Sequence, residues 1–525
     1  MQDRLLIPDT LHQCSRLTRA WARVMRAIPE SGAGSNSLFR KMVFNPYLIP
    51  FIISFYLIGD FIFPPSVFLL LELGDAHSIW QTITSFRDET IKSSYVLYKG
   101  FLSVYPYIWL YELAAHLEQD HFLFIKIYHA LLFSFVAAVG IPFVVSKILC
   151  VNLRLYKNIV FVFILFYLFK FTRIFDGLMV DLPTWTFFVA ATSSVVLIAR
   201  NRDYFKNVPA LFASGILVGL TLCSSGQYSL AGYLLIVYLF ASIFGGRKID
   251  ESLTSRKLIV AFAVFLIAAA VPKVYDSYFE ATIVQPMRDR GDWLPTGQQW
   301  LTNGMTRLMP HYKFGHGAQL GVESHRGLAI LKKTEGDKFS ERYERIKQGG
   351  GEYSVAEYLG IIRANPLDFA VMWAAKTFLA VSFDGGKARA SHLLISYTSL
   401  YVCLYLIFLK CIYFRDLINR NSLILLSIIS TIAAPVFLFI DMRYIIALQG
   451  FILGFAVHQE KVFGNIKGYL LTIYGGDKFK SGRINSLAIP YPAIFYALFL
   501  ILCFTLYGAL LEIPGSDPDK VLYRW

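Results

Sequence analysis

Long apolar runs separated by short polar loops make up most of the chain after residue 45. A helix needs about 20 mostly apolar residues to cross roughly 30 Å of hydrocarbon. In lipid the backbone must satisfy its own hydrogen bonds, so runs this apolar predict helices and not a barrel. The pattern therefore predicts an all-α polytopic membrane protein with about eleven transmembrane helices. The predicted spans are 46–63, 122–148, 157–175, 182–199, 208–223, 227–245, 257–274, 391–413, 422–440, 443–459 and 487–511.

Basic residues are concentrated in alternate loops between these runs. Lys and Arg accumulate on the cytoplasmic side of membrane proteins, so their distribution sets the orientation. Five basic loops fall on the same side as the basic N-terminus. We therefore expect a cytoplasmic N-terminus and a periplasmic C-terminus, in a bacterial inner membrane. The basic residues are Arg154 and Lys157; Arg200, Arg202 and Lys206; Arg247, Lys248, Arg256 and Lys257; Lys410, Arg415 and Arg420; Lys461, Lys467, Lys478, Lys480 and Arg483.

The spans divide the chain into four parts. The tail 1–45 repeats Arg at helical spacing, which fits a basic amphipathic helix on an anionic leaflet and equally a disordered tail. Residues 46–274 form an N-terminal transmembrane module with a long first outer loop, 64–121. Residues 275–390 form a larger outer-face segment that includes an apolar stretch, 366–383, interpreted as an interfacial helix. Residues 391–525 form the C-terminal transmembrane module.

Composition supports the membrane interpretation and argues against nucleic acid as a partner. The chain is 56% hydrophobic and 16% charged, with a mean hydropathy of +0.51, whereas soluble domains have about 25% charged residues. The net charge is +14, but the positive-inside rule accounts for it. The six cysteines show no spacing typical of a disulfide framework or a zinc site.

The first outer loop contains the strongest candidate chemistry. Pro64-Pro65 ends the first span, and Gly74-Asp75-Ala76-His77 follows a short apolar stretch. Trp80 and the motif Tyr105-Pro106-Tyr107 come next. A carboxylate at the bilayer surface can act as a general base when apolar neighbours raise its pKa. Asp75 is thus a candidate base, and the alternative is a helix-capping aspartate.

Four segments, in order, resemble the polytopic C-type (GT-C) glycosyltransferases that use polyprenyl- or dolichyl-phosphate sugars. The first segment runs from Gly74-Asp75 to the Tyr105-Pro106-Tyr107 motif. The second surrounds Asp181, the third is the glycine-rich fifth span, 213–220, and the fourth is the turn 441–444. The chain departs from the family pattern in having Ala76-His77 after Asp75 and no second carboxylate there.

The resemblance implies that sugar is transferred at the outer membrane face with inversion. Asp75 would take the proton of an acceptor hydroxyl in a glycan, lipid or protein, and polyprenyl phosphate would leave. Cations at the outer face would stabilise the leaving phosphate. The resemblance implies no cofactor and leaves a divalent cation open. The implied substrate-binding residues are His77, Trp80, Tyr105, Arg173, Asp181, Arg288 and Arg443.

Four of these residues also have a structural interpretation. Asp181-Leu182-Pro183 fits the start of a helix with a capping aspartate. Arg173 and Arg443 would serve equally as interfacial anchors or ion pairs, and Arg288 as an ordinary loop charge. The histidine pair His311 and His316 lacks the three or four convergent ligands that zinc requires, so we predict no metal site.

Three other functions fit the same spans. One is a non-catalytic assembly subunit, which an Asp75→Asn variant without effect on activity would support. A transporter for a lipid-linked glycan would carry charges along an intramembrane path and broken helices in both halves. The span interiors here carry few charges, and polar residues gather at one face instead. An O-antigen-type polymerase or ligase would have a long outer loop late in the chain, and segment 275–390 keeps that alternative open.

Overall fold

The computed structural model describes most of the chain in separate stretches. They are 45–61, 74–86, 101–169, 180–200, 207–224, 226–244, 255–286, 307–312, 319–323, 334–336, 338, 341, 353–382, 390–411, 420–437, 442–459 and 490–511. The predicted basic tail and several predicted loops lie outside these residues.

The described residues are almost entirely helical. In the N-terminal module the helices are α1 (Leu48–Phe61), α2 (Gly74–Ser85), α3 (Phe101–His116), α4 (His121–Ser134), α5 (Ile141–Leu149), α6 (Leu155–Phe169), α7 (Asp181–Arg200), α8 (Val208–Ser224), α9 (Gly226–Phe244) and α10 (Ser255–Phe279). Later in the chain they are α11 (Val355–Ala364), α12 (Pro366–Val381), α13 (Ala390–Cys411), α14 (Arg420–Ser430), α15 (Ala433–Phe437), α16 (Met442–His458) and α17 (Pro490–Leu511). Each of the eleven predicted spans therefore contains helix.

Four of the described helical stretches are long and apolar enough to cross a bilayer, which identifies a membrane protein. They are His121–Leu149, Asp181–Arg200, Gly226–Phe244 and Lys257–Thr282. Six further apolar helices in the described residues are shorter, at 10–17 residues. The number of crossings, about eleven, therefore stays a prediction, as does the orientation.

A turn of π-helix, Phe135–Gly140, joins α4 to α5 within one continuous helical rod. A π-turn adds a residue to the helical repeat and disturbs the regular backbone ladder. The Asn158 amide of α6 donates to the Ala138 carbonyl at 2.8 Å and to the Pro46 carbonyl at 2.7 Å. This buried side chain thus ties the wide turn and the start of the first span to α6.

Glycines let the helices of the N-terminal module approach closely. A Cβ on Gly215 of α8 would lie 2.4 Å from the Phe265 carbonyl oxygen of α10, and one on Gly219 would lie 2.4 Å from that of Ala269. Small residues four apart commonly form such close contacts between membrane helices. The glycine-rich fifth span is therefore the surface against which α10 packs.

The outer segment contains strand as well as helix. Strands β1 (Arg307–Tyr312) and β2 (Gln319–Glu323) pair antiparallel in a two-stranded sheet, which the prediction of an all-α chain did not include. Helix α11 starts with a capping box between Ser354 and Glu357. Helix α12 begins where the interfacial stretch was predicted to begin and packs against α15 and α16.

Candidate functional site

An apolar cluster joins the first outer loop to one end of the transmembrane helices. Ile79 and Ile83 of α2 and Tyr107 and Ile108 of α3 are buried in it. The same cluster takes side chains from α4, α8, α10 and the turn before α7. Three of the four segments that resemble the glycosyltransferase family thus meet in one place. The remaining buried members are Leu102, Val104, Ile125, Val180, Cys223 and Phe279, with Leu220 packed against them.

A seam of polar side chains crosses this cluster between α3, α7 and α8. The Ser103 hydroxyl donates to the Ser224 carbonyl at 2.8 Å. The Thr184 hydroxyl lies 3.3 Å from that of Ser103 and 2.6 Å from the Val180 carbonyl oxygen. Polar groups this deeply buried are stabilised by such bonds. The seam therefore fixes α3 in register against α7 and α8.

Asp181 lies at the edge of the seam as the first residue of α7. Its side chain is 8% exposed, and the positive end of the α7 dipole favours a negative charge at this position. Burial, and then the charges of Tyr128 and Asp181, raise the pKa of Tyr107 well above its usual value. The Asp181 carboxylate is thus close enough for its charge to act on the buried layer that contains Tyr107.

Asp75 is the second residue of α2, directly after Gly74. The apolar face of α2, with Ile79 and Ile83, packs into the cluster, so the backbone at Asp75 is attached to the same layer. The Asp75 side chain lies outside the described part of the structure. Its role as the base stays a prediction.

The aromatic residues predicted to bind sugar differ in their surroundings. Trp80 stacks on Phe122 with ring centroids 5.1 Å apart and meets the edge of Tyr111 at 5.7 Å. One face of its indole is therefore covered by protein. Tyr105 is 40% exposed, with its ring against the edge of Tyr275 on α10 at 6.3 Å. His77 is half-buried, which keeps part of its surface accessible.

The predicted cationic residues are not brought together within the part of the chain that the structure describes. Arg173 and Arg288 lie outside the described residues, and Arg443 is described only as the second residue of α16. Helix α16 packs against α5, α6 and α13, and the cluster above contains none of its described side chains. Across the described residues no group of three His, Cys, Asp or Glu side chains is arranged to hold a metal.

Sequence reasoning missed two features of this end of the molecule. His129 of α4 is 1% exposed, and its Nε2 lies 2.7 Å from the Tyr107 hydroxyl. Lys273 and Asp276 form an ion pair of 3.1 Å in the C-terminal part of α10. An ionisable residue inside an apolar span is by default a functional candidate. That rule would have selected His129 together with Lys126, which lies in the same apolar run.

Comparisons with known proteins provide little further information about this site. No family model matches the chain, and no curated protein matches it. One solved structure is similar over 91% of the chain, and the chain spans 60% of that structure. It is the archaeal oligosaccharyltransferase AglB from Archaeoglobus fulgidus in complex with an inhibitory peptide and a dolichol-phosphate. The TM-score is 0.37 and the sequence identity 12%, too low for the likeness to support a fold or a function.

Proposed function

We propose that the chain is a membrane glycosyltransferase of the GT-C kind, which moves a sugar from a polyprenyl-phosphate donor to an acceptor hydroxyl at the outer face. One observation carries this proposal. The helix that begins at Gly74-Asp75, the helix with the Tyr105-Pro106-Tyr107 motif and the Asp181 turn bury their apolar side chains together at one end of the transmembrane helices. They are the segments whose order resembles the family.

The proposed reaction is a single displacement at the anomeric carbon. Asp75 takes the proton from the acceptor hydroxyl as the acceptor oxygen attacks the anomeric carbon. The bond between that carbon and the phosphate oxygen breaks, and polyprenyl phosphate leaves with the bonding electrons. Attack opposite the leaving group inverts the configuration. Arg173, Arg288 and Arg443 are the proposed cations that stabilise the charge on the phosphate.

Buried polar groups in the layer into which α2 packs support this chemistry physically. Carboxylates and hydroxyls that keep fixed positions in a low-dielectric site stabilise developing charge better than water does. The seam of Ser103 and Thr184 supplies hydroxyl groups, and Asp181 at the start of α7 supplies a carboxylate. The aromatic side chains of Tyr105 and His77, on α3 and α2, remain partly accessible. We propose that Asp181 binds the hydroxyl groups of the sugar or a cation that accompanies the donor.

Reconstitution tests the proposal directly. The purified chain in liposomes should release polyprenyl phosphate from at least one member of a panel of polyprenyl-phosphate hexoses and pentoses, with a new inverted glycosidic bond in the acceptor. Mass spectrometry measures the lipid product and NMR the anomeric configuration. Movement of an intact donor between leaflets with no sugar transfer would contradict the proposal and support a transporter.

Native Cys150 provides a test of orientation. It is exposed at the end of α5, on the predicted cytoplasmic side, whereas exposed Gln119 lies at the opposite end of the same rod. A membrane-impermeant maleimide should label a Gln119→Cys variant in intact cells and Cys150 only after permeabilisation. The reverse labelling pattern would place the Asp75 loop in the cytoplasm and would contradict the proposed reaction at the outer face.

A further inference from the structure

Helix α12 exposes its apolar side chains and buries its lysine, which is the reverse of a helix in water. Leu367 is 80% exposed, whereas Lys376, on the opposite face, is 0% exposed. A helix on a water-soluble surface buries its leucines and turns its lysines outward, because lysine is rarely buried completely. The arrangement fits a helix whose exposed face meets an apolar medium. The exposed side chains, none of them charged, are Pro366, Leu367, Ala370, Val371, Ala374 and Thr377.

The last turn of α12 is bonded to two neighbouring helices. The Gln449 amide of α16 donates to the Ala380 carbonyl at 3.0 Å. The Ser396 hydroxyl of α13 donates to the Val381 carbonyl. The final carbonyls of a helix have no partner within the helix, and at membrane depth they need one from the protein. The two side chains therefore allow α12 to end inside the bundle of helices and not at its surface.

These bonds lie well below the ends of α13 and α16. Ser396 is six residues from the start of α13, and Gln449 is seven residues from the start of α16. At 1.5 Å per residue, each position lies about 10 Å along its helix. The two helices start at the same end of the bundle, where α6 ends. Ser391 of α13 bonds Tyr167 near the end of α6, and Lys157 near the start of α6 bonds the last carbonyls of α16.

The two halves of α12 pack in different places. Phe369 and Met372 are buried against α11 in an apolar cluster of their own, whereas Leu379 belongs to the large core of the transmembrane helices. The 16 residues of α12 measure about 24 Å, which is less than the roughly 30 Å of a hydrocarbon layer. The helix therefore points its C-terminal end into the bundle and is too short to cross it.

We propose that α12 is a re-entrant helix whose exposed face lies against the acyl chains of the membrane lipids. Helix α13, on which α12 packs, exposes Leu394 and Leu404 in the same manner. In water, an exposed apolar face of this kind would promote aggregation, whereas lipid covers it without any protein partner. A re-entrant helix enters and leaves on one side, so the predicted sides of all later loops are unchanged. The inference does not rest on the proposed function.

The geometry differs from the interfacial helix that the sequence predicts for 366–383. A helix that lies flat at the interface has all its exposed residues at one depth. A re-entrant helix has them at increasing depth toward the bonded end. Leu367 and Ala374 are seven residues apart, so their depths should differ by up to about 10 Å, at 1.5 Å per residue.

Nitroxide labelling of the chain in liposomes measures that depth. Leu367→Cys, Val371→Cys and Ala374→Cys are each made in a chain whose native cysteines are replaced, and each is spin-labelled. Oxygen is concentrated in lipid and nickel(II) ethylenediamine diacetate in water, so the ratio of their collision rates reports the depth of the label. Oxygen should reach all three labels more readily than the nickel chelate does, and the depth should increase from 367 to 374.

Three control positions calibrate the measurement. Gln119→Cys is exposed in the turn before α4 and should favour the nickel chelate. Leu498→Cys on the exposed face of α17 should favour oxygen. Met372→Cys is on the buried face of α12 and should be reached poorly by both reagents.

Each of the other outcomes would overturn the inference. Access of the nickel chelate to α12 equal to that at Gln119→Cys would show a face in water. Poor access of both reagents to all three labels would show a face covered by protein, either another segment of the chain or a second copy. Equal depths at the three positions would show a helix lying flat at the interface.

A measurement on the wild-type chain covers the case in which the cysteine-free chain fails to fold. The chain is reconstituted with a phospholipid that carries a diazirine on its acyl chain, irradiated and analysed by mass spectrometry. Adducts should form within 366–377 as well as in α17. Adducts in α17 with none in α12 would overturn the inference. Neither measurement requires sugar transfer, so a chain without transferase activity would refute the proposed function and leave this inference standing.

Discussion

Asp75→Asn is expected to lower sugar transfer by a factor of about 10² to 10⁴, the usual contribution of a general base. The amide has nearly the shape of the carboxylate but takes no proton from the acceptor hydroxyl. Asp75 is the second residue of α2, and asparagine there keeps the size and polarity of the side chain, so folding should be retained. Turnover of a polyprenyl-phosphate sugar by chain reconstituted in liposomes gives the rate, and equilibrium binding of the donor should change little.

Asp120→Asn is the control for this variant. Asp120 is an exposed carboxylate on the same predicted side, and its side chain accepts from the Phe122 N–H at 2.9 Å as the cap of α4. Asparagine can make the same cap, so transfer should stay near the wild-type rate. If Asp75→Asn also keeps near-normal turnover, Asp75 is not the base. Asp88 and Asp181 would then be the next carboxylates to substitute.

Gly219→Ala is expected to destabilise the N-terminal module by about 1–3 kcal/mol, the usual cost of overpacking. The added Cβ would lie 2.4 Å from the Ala269 carbonyl oxygen and 2.8 Å from two carbons of the Pro272 ring. Neither the backbone carbonyl nor a proline ring can turn aside as a flexible side chain can. Helices α8 and α10 must therefore separate, and the apparent melting temperature in detergent should fall.

The same substitution in α1 provides the comparison. A Cβ on Gly59 would meet nothing within 4 Å, and alanine has a higher helix propensity than glycine by about 1 kcal/mol. Gly59→Ala should thus keep or raise the melting temperature that Gly219→Ala lowers. If the two variants change the melting temperature equally, the contact between α8 and α10 is looser than the structure shows.

The apolar pattern was sufficient to locate the helices, because a run of apolar residues long enough to cross lipid has few alternatives to helix. Asp181-Leu182-Pro183 also marked the start of α7 correctly, since proline favours the first helical turn. Helix ends in polar surroundings were less predictable. The seventh predicted span ended at residue 274, whereas α10 continues to Phe279, because Lys273 and Asp276 form an ion pair along the helix instead of ending it.

The sequence pattern could not predict contacts between distant segments. Trp80 was expected to be available for sugar, but the 5.1 Å stack with Phe122 covers one ring face. Periodicity along α2 carries no information about which residue of α4 packs on it. The bond between Tyr107 and His129 likewise depends on how α3 lies against α4. A single buried pair does not change the pattern of apolar and polar residues along either helix, so the sequence pattern could not predict it.

The apolar cluster beneath the outer layer has a consequence for the order of assembly. Ile79 shares that cluster with Val180, Cys223 and Phe279, which leave the ribosome long after it. Chains emerge from the N-terminus first, at about 5–20 residues per second. The underside of α2 and α3 therefore waits roughly 10–40 seconds, at that rate of synthesis, for the last of these partners to arrive. During biogenesis this early loop must be sheltered by lipid or by an insertion factor until translation has passed residue 279.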